Sequence, residues 1–196
     1  MGEMTSGLVN LAFRSGKYVC LRPFEGTDLP FLLRLDNDPL VNEFFVHHRP
    51  VTLDLAKRQL EKRLLNESSN VYLGITPVKE HDLFGIINLH RVDLVHGTAW
   101  VEIKIAVSWW GKGYGYEALM ILLDYAFNQL NLRKVCWGTL GCNTRGIACA
   151  KKSGFEEDGR MKAQFQRGGE LIDDVHLSVF REKWLPFWEK YRQNLF

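Results

Sequence analysis

Gly111, Gly113 and Gly115 are the residues of this chain best suited to holding a ligand. They lie in Ala106-Val-Ser-Trp-Trp-Gly-Lys-Gly-Tyr-Gly-Tyr-Glu-Ala118, between a strand-like run and a helical one. Glycine admits positive φ and lets a ligand approach the main chain closely. The first-turn N–H groups of the following helix have no intrahelical partner, and its dipole is positive there. This pairing suits an anion, and a pyrophosphate is the natural occupant. The plainer alternative is a tight strand-to-helix turn with no ligand. A Rossmann turn is disfavoured, because the spacing is not GxGxxG and the preceding strand alternates. A Walker A loop is excluded, because no Gly-Lys-Ser/Thr occurs.

The flanking elements must position that turn. Before it, Trp100 to Val107 alternates. Val101, Ile103, Ile105 and Val107 point one way; Glu102, Lys104 and Ala106 point the other. After it, Leu119, Leu122, Leu123, Ala126, Phe127 and Leu130 form an apolar stripe at helical spacing. Lys17–Pro23 reads as a first strand. Thr27 or Asp28 caps a short helix, residues 36–50 read as loop, and Thr52 caps a helix with Leu53, Ala56, Leu60 and Leu64 on one face. Strands are expected at 71–76, 83–92 and 134–140. Asn143 caps a helix that ends at Gly154, and a hairpin turning at Gly168-Gly169 closes on a strand at 171–180. The order is β-α-α-β-β-β-α-β-α-β-β, which fits a three-layer α/β domain around a mixed sheet.

Composition bounds the function. The chain has 196 residues, 46% of them hydrophobic, enough for one domain with a sizeable core. Against 25 Lys+Arg stand 23 Asp+Glu, a net charge of +2, which gives no footprint for nucleic acid. Cys20, Cys136, Cys142 and Cys149 form no CxxC pair, and no His spacing completes a metal site. Isolated cysteines, no signal-peptide h-region and no membrane-length apolar run point to a cytoplasmic protein without a membrane partner.

The segment Trp110-Gly-Lys-Gly-Tyr-Gly-Tyr-Glu-Ala118 resembles the acetyl-CoA motif of GNAT N-acetyltransferases, Q/R-x-x-G-x-G/A, in the WGKGYGTEA form of the RimJ/RimL-like branch. Gly113 and Gly115 match its small positions, and Trp110 stands where Gln or Arg is usual. Further matches are Asn143 with Lys152-Ser-Gly-Phe155, Arg22-Pro23 with Asp28-Leu29, Asp38-Pro39, and Gly159-Arg160 with Gly168-Gly169 and Asp174. The resemblance covers roughly residues 17–185. It implies an α/β/α GNAT-type fold around a mixed, mostly antiparallel sheet with a splayed central strand. Residues 1–16 are then an extension open to disorder, and 186–196 an aromatic tail. Trp184, Phe187, Trp188 and Tyr191 would dock on the core or form a dimer face, leaving monomer or homodimer open.

The resemblance also implies direct acetyl transfer from acetyl-CoA to a primary amine in a ternary complex, without a metal. Such transfer needs a positioned thioester, a neutral amine, a donor for the oxyanion and a route for thiolate departure. Ile105, Ala106 and Val107 would lend main chain to the pantetheine arm, and Asn143 would touch it. Trp110, Gly111, Lys112, Gly113, Tyr114, Gly115 and Tyr116 would hold the pyrophosphate. Glu102, on the polar face of the central strand, is the expected general base through water; Lys104 lies roughly 7 Å along the same face and could pair with it. His90, Asp174 and His176 stand in reserve. The usual tyrosine acid is replaced by Ala150. The acceptor is a small-molecule amine or a protein N-terminus, and the loop at 45–49 should shape its pocket. A module that binds acyl-CoA without turnover is the alternative.

Overall fold

A computed structural model describes residues 12–46, 49–65 and 70–194. Its strands are β1 (Arg14–Ser15), β2 (Val19–Arg22), β3 (Val71–Pro77), β4 (Gly85–Asp93), β5 (Thr98–Ile105), β6 (Lys134–Leu140), β7 (Glu156–Arg167) and β8 (Glu170–Phe180). Its α-helices are α1 (Leu29–Asn37), α2 (Pro39–Asn42), α3 (Leu53–Leu65), α4 (Tyr114–Asn128), α5 (Thr144–Lys152) and α6 (Arg181–Gln193). The sheet runs β1-β2-β3-β4-β5-β6-β8-β7, and β5–β6 is its parallel pair.

Helices cover both faces. The stripe read on α4 is wholly buried from Leu119 to Phe127 and packs against Leu21, Ile75, Ile87, Leu89 and Val101. On the other face Leu32, Leu35 and Leu60 pack against Ile86. The alternation within β4 and β5 thus feeds two cores, and the α/β/α expectation holds. Arg22 grips Asp28 at 2.7 Å and the His81 carbonyl at 2.8 Å, so the Arg-Pro…Asp-Leu match is a buried ion pair fixing the start of α1.

Several expectations need correction. The loop read at 36–50 contains α2, which Asp38 caps by accepting from Leu40 N at 2.9 Å. Leu53 and Leu64 are exposed, leaving Ala56 and Leu60 as the buried face of α3. The central strand stops at Ile105, and Val107 belongs to a 3-10 turn, Val107–Trp109. β7 starts at Glu156 and is exposed almost throughout. The sheet begins at Arg14, inside the segment read as an extension, because β1 pairs with β2. The aromatic tail is part of α6: Trp184 is fully buried and Trp184, Trp188 and Tyr191 stack in series on the core, while Phe187 stays exposed.

Glu117, in the first turn of α4, is 5% exposed. Its carboxylate accepts from the main-chain N–H groups of Lys17 and Tyr18 and from the Tyr191 hydroxyl. It therefore joins the first hairpin, α4 and α6.

Candidate active site

Pairing between β5 and β6 runs from Thr98↔Lys134 to Trp100↔Cys136 and then ends. Both strands continue, to Ile105 and Leu140. They splay, and a cavity of about 610 Å³ fills the gap, reaching from the glycine turn to Val41 of α2 and the segment after it.

At one end lies the cradle read from sequence. Gly111 and Gly113 have φ of +75° and +84°, which an L side chain rarely adopts, and a Cβ on either would meet no protein atom. Gly113 is the N-cap of α4 and offers no side-chain oxygen to its first turn, so those N–H groups face the cavity end unclaimed by a cap. Gly115 has another reason to be glycine: a Cβ there would meet Ile105 at 3.1 Å. It lets the helix pack closely on β5. Around the turn, Lys112 lies over Trp109 and Lys152 over Tyr116. Cations, bare main chain and a helix N-terminus fit the phosphates of acetyl-CoA.

The main chain that can hold the rest of the donor differs from expectation. Ala106 N donates to the Phe84 carbonyl at 2.9 Å, so Ala106 faces β4. The period of two turns the main chain of Val101, Ile103 and Ile105 toward the cleft. Ala106 and Val107 pack instead against the α1–α3 core. Of the three, Ile105 already accepts from Trp110 Nε1 at 2.7 Å. Trp110 is thereby fixed as a platform: the Arg145 guanidinium lies 3.7 Å from its ring centroid, and Phe44 packs on its edge. The sequence match has an aromatic where Gln or Arg is usual; here the positive charge arrives from α5. Asn143 caps α5, accepting from Gly146 N at 3.0 Å, and donates to Thr139 Oγ1 at 2.9 Å.

At the other end, Glu102, His90, Asp174 and His176 all line the cavity. Lys104 is bound elsewhere, to Asp36 at 3.0 Å, so it does not pair with Glu102. Among the described residues no hydrogen bond or ion pair engages the Glu102 carboxylate. Burial lowers the pKa of His90, Arg91 adds to the effect, and Glu102 opposes it. Asp174 Oδ2 lies 3.0 Å from His176 Nε2. Ala150 is fully buried in the core, and Ser153 is buried with its hydroxyl bound to the Cys149 carbonyl. Cys149 and Tyr116 reach the cavity, but burial pushes the thiol up to about 11 and raises the phenol too.

Phe44, Phe45 and Val46 wall the cavity near Val41 of α2. Of the loop at 45–49, Phe45 and Val46 reach the cavity, and His47 and His48 lie outside the described residues. Two cations from distant segments secure the wall. Lys104 lies 4.5 Å from the Phe45 ring centroid, and Arg167, at the tip of the β7–β8 hairpin, donates to the carbonyls of Glu43 and Phe45. Sequence reading missed Arg145, Arg167 and Phe44. Arg145 sits two residues after the cap in an otherwise recognised signature, which is the signal that could have found it; Arg167 carries none.

An acetyltransferase (GNAT) domain model matches residues 19–156. The spermidine N(1)-acetyltransferase of Vibrio cholerae is 24% identical over 165 residues, covering 84% of this chain and 94% of that protein. The putative ribosomal N-acetyltransferase YdaF of Bacillus subtilis is 31% identical over 167 residues, covering 84% and 90%. The crystal structure of the Vibrio cholerae spermidine N-acetyltransferase in complex with CoA and spermine superposes with a TM-score of 0.77 at 23% identity, over 85% of this chain and 98% of that one.

Proposed function

The chain belongs to the acetyltransferase (GNAT) domain family and is an acetyl-CoA-dependent N-acetyltransferase, and from that premise we propose that its acceptor carries a single amine, as a small monoamine or a peptide or protein N-terminus. One observation carries this reading: the shortage of free carboxylates in the cavity. Glu102 and Asp174 line it, and Asp174 is held by His176. Arg91, Arg145 and Lys152 line it as well. A polyamine brings several positive charges, each needing compensation on leaving water. Among the described residues the wall offers one unengaged carboxylate and an aromatic surface of Trp100, Phe44 and Phe45. The motif likeness to the RimJ/RimL-like branch and the relationship to YdaF favour a protein N-terminus within this class.

In this reading Val101 and Ile103 pair with the pantetheine arm, the glycine turn with Arg145 and Lys152 takes the phosphates, and Glu102 removes the first proton from the incoming ammonium, through water. Four cysteines free of disulfides suit a cytoplasmic setting. Thiol release from acetyl-CoA across a panel of monoamines, short peptides with free N-termini, and spermidine tests the reading. A peptide or monoamine should give the highest kcat/KM. Spermidine leading the panel would overturn the acceptor class. The Vibrio and Escherichia coli relatives are named for that substrate, so it is the competing reading. Acetyl-CoA binding with no turnover on any amine would leave a sensor or scaffold module, which the missing tyrosine at Ala150 favours.

A further inference from the structure

Ala150 removes the usual proton source, yet a titratable pair stands where the strands part. His176 is in register with Gly138 of β6, two residues beyond the last β5–β6 pair at Cys136. Gly138 has no side chain, and a Cβ on it would meet the Trp100 ring at 3.4 Å. The His176 ring therefore reaches across β6 to Trp100, edge to face with centroids 5.7 Å apart. On its outer side His176 pairs with Gly159, whose surroundings are open. Two glycines thus leave room around one imidazole at the apex of the cleft. Glu102 lies on the opposite bank, two residues past Trp100.

The bond to Asp174 sets the ring's chemistry. A carboxylate only accepts, so Nε2 carries the hydrogen that points to Asp174 Oδ2. In the neutral ring the lone pair is then on Nδ1. The other acid near this ring, Asp158 on β7, is held by Lys134 and Ser178, each at 2.8 Å.

Building on the N-acetyltransferase reading, we propose that His176, oriented by Asp174, is the second proton carrier of the reaction and stands in for the missing tyrosine. Glu102 takes the first proton, leaving a neutral amine. As the C–N bond forms, the nitrogen's second proton passes to His176 Nδ1. As the C–S bond breaks, that proton moves on to sulfur, giving the amide and the free thiol. The ring ends neutral, as it began. An imidazolium is also a more willing donor to a thiolate than a phenol, on reference acidities of about 6.5 and about 10.

Two measurements test this. In ¹⁵N-histidine-labelled protein, long-range ¹H–¹⁵N spectra should show the neutral His176 ring protonated on Nε2. Acetyl-CoA should shift its Nδ1 resonance, and Asp174→Asn should move the hydrogen to Nδ1, since a carboxamide can donate to Nε2. A ring protonated on Nδ1 in the wild type, or one blind to acetyl-CoA, overturns the proposal. In turnover, His176→Gln should lower kcat by about 10²-fold or more with acetyl-CoA affinity unchanged, and added imidazole should restore activity to His176→Ala. Activity of His176→Gln within about threefold of wild type overturns it too. If the wild type turns over no amine, the enzyme reading fails, and the spectra still decide the role of the ring.

Discussion

Glu117 sits inside the cofactor motif, so a scan of that motif would count it among binding residues; the structure makes it a brace. Three donors converge on its Oε1: Lys17 N, Tyr18 N and Tyr191 Oη. Gly16 allows the approach, because a Cβ there would collide with that oxygen. Hydrogen bonds to a charged group are worth about 1.5–3 kcal/mol each, and neutral ones about 0.5–1.5 kcal/mol. Glu117→Gln keeps an acceptor but loses the charge, at about 1 kcal/mol per bond, or about 3 kcal/mol in all. Glu117→Leu leaves three donors unsatisfied, a loss of about 3–9 kcal/mol. For a chain of this size each kcal/mol moves Tm by about 2–4 °C. Thermal unfolding at pH 7 should therefore fall by about 6–12 °C for Gln and further for Leu. The acetyl-CoA Kd and kcat at 25 °C should stay within about threefold of wild type. A Leu variant melting within about 2 °C of wild type would refute the brace; a stable variant that fails to bind acetyl-CoA would put Glu117 in the cradle.

Glu102→Gln should lower kcat by about 10²-fold with little change in acetyl-CoA affinity; unchanged turnover from pH 6 to 9 would remove Glu102 from the chemistry. Arg145→Gln should weaken acetyl-CoA binding about tenfold by calorimetry, through loss of a cation presented by Trp110. Brief alkylation at pH 8 followed by peptide mass mapping should label exposed Cys142 and spare Cys149, whose thiol is pushed up to about 11; equal labelling would contradict its burial. Burial and Glu117 raise the Tyr191 pKa above the ordinary phenol range. Its protonated hydroxyl thus stabilises the fold fully below the unfolded value, about 10, and that contribution is lost as pH rises beyond it. Tyr191→Phe should melt lower at pH 7 and lose less stability than wild type on titration above pH 10.

The donor half of the site is legible in the sequence and the acceptor half largely is not, because one is local and the other is assembled at long range. Residues 106–118 hold a strand end, a glycine turn and a helix start, each with its own sequence rule. Lys104 looks free to pair with Glu102 until α1 brings up Asp36, 68 positions away. β7 escapes over its first half because it is exposed almost throughout, so it has no alternation to read. Asp38-Pro39 reads as loop punctuation, yet the same pair is a cap followed by a first-turn proline, which starts α2. Trp110 gives no hint of Arg145, since a stack between a turn and a separate helix has no sequence period.

The grip of Arg167 on the loop before α3 bears on how such a chain can be recombined. The wall at Phe45 and its fastening are 122 positions apart, while the donor cradle comes from one uninterrupted stretch. Exchanging α1–α3 alone with a relative would detach Phe44 and Phe45 from the hairpin that anchors them. Exchanging residues 29–65 together with 156–180 would carry Phe44, Phe45 and the Arg167 that fastens them as a unit, while Lys104 stays with β5. Moving this part of the cleft wall between relatives therefore takes two pieces of chain together, with Trp100, Glu102 and Lys104 of β5 left in place.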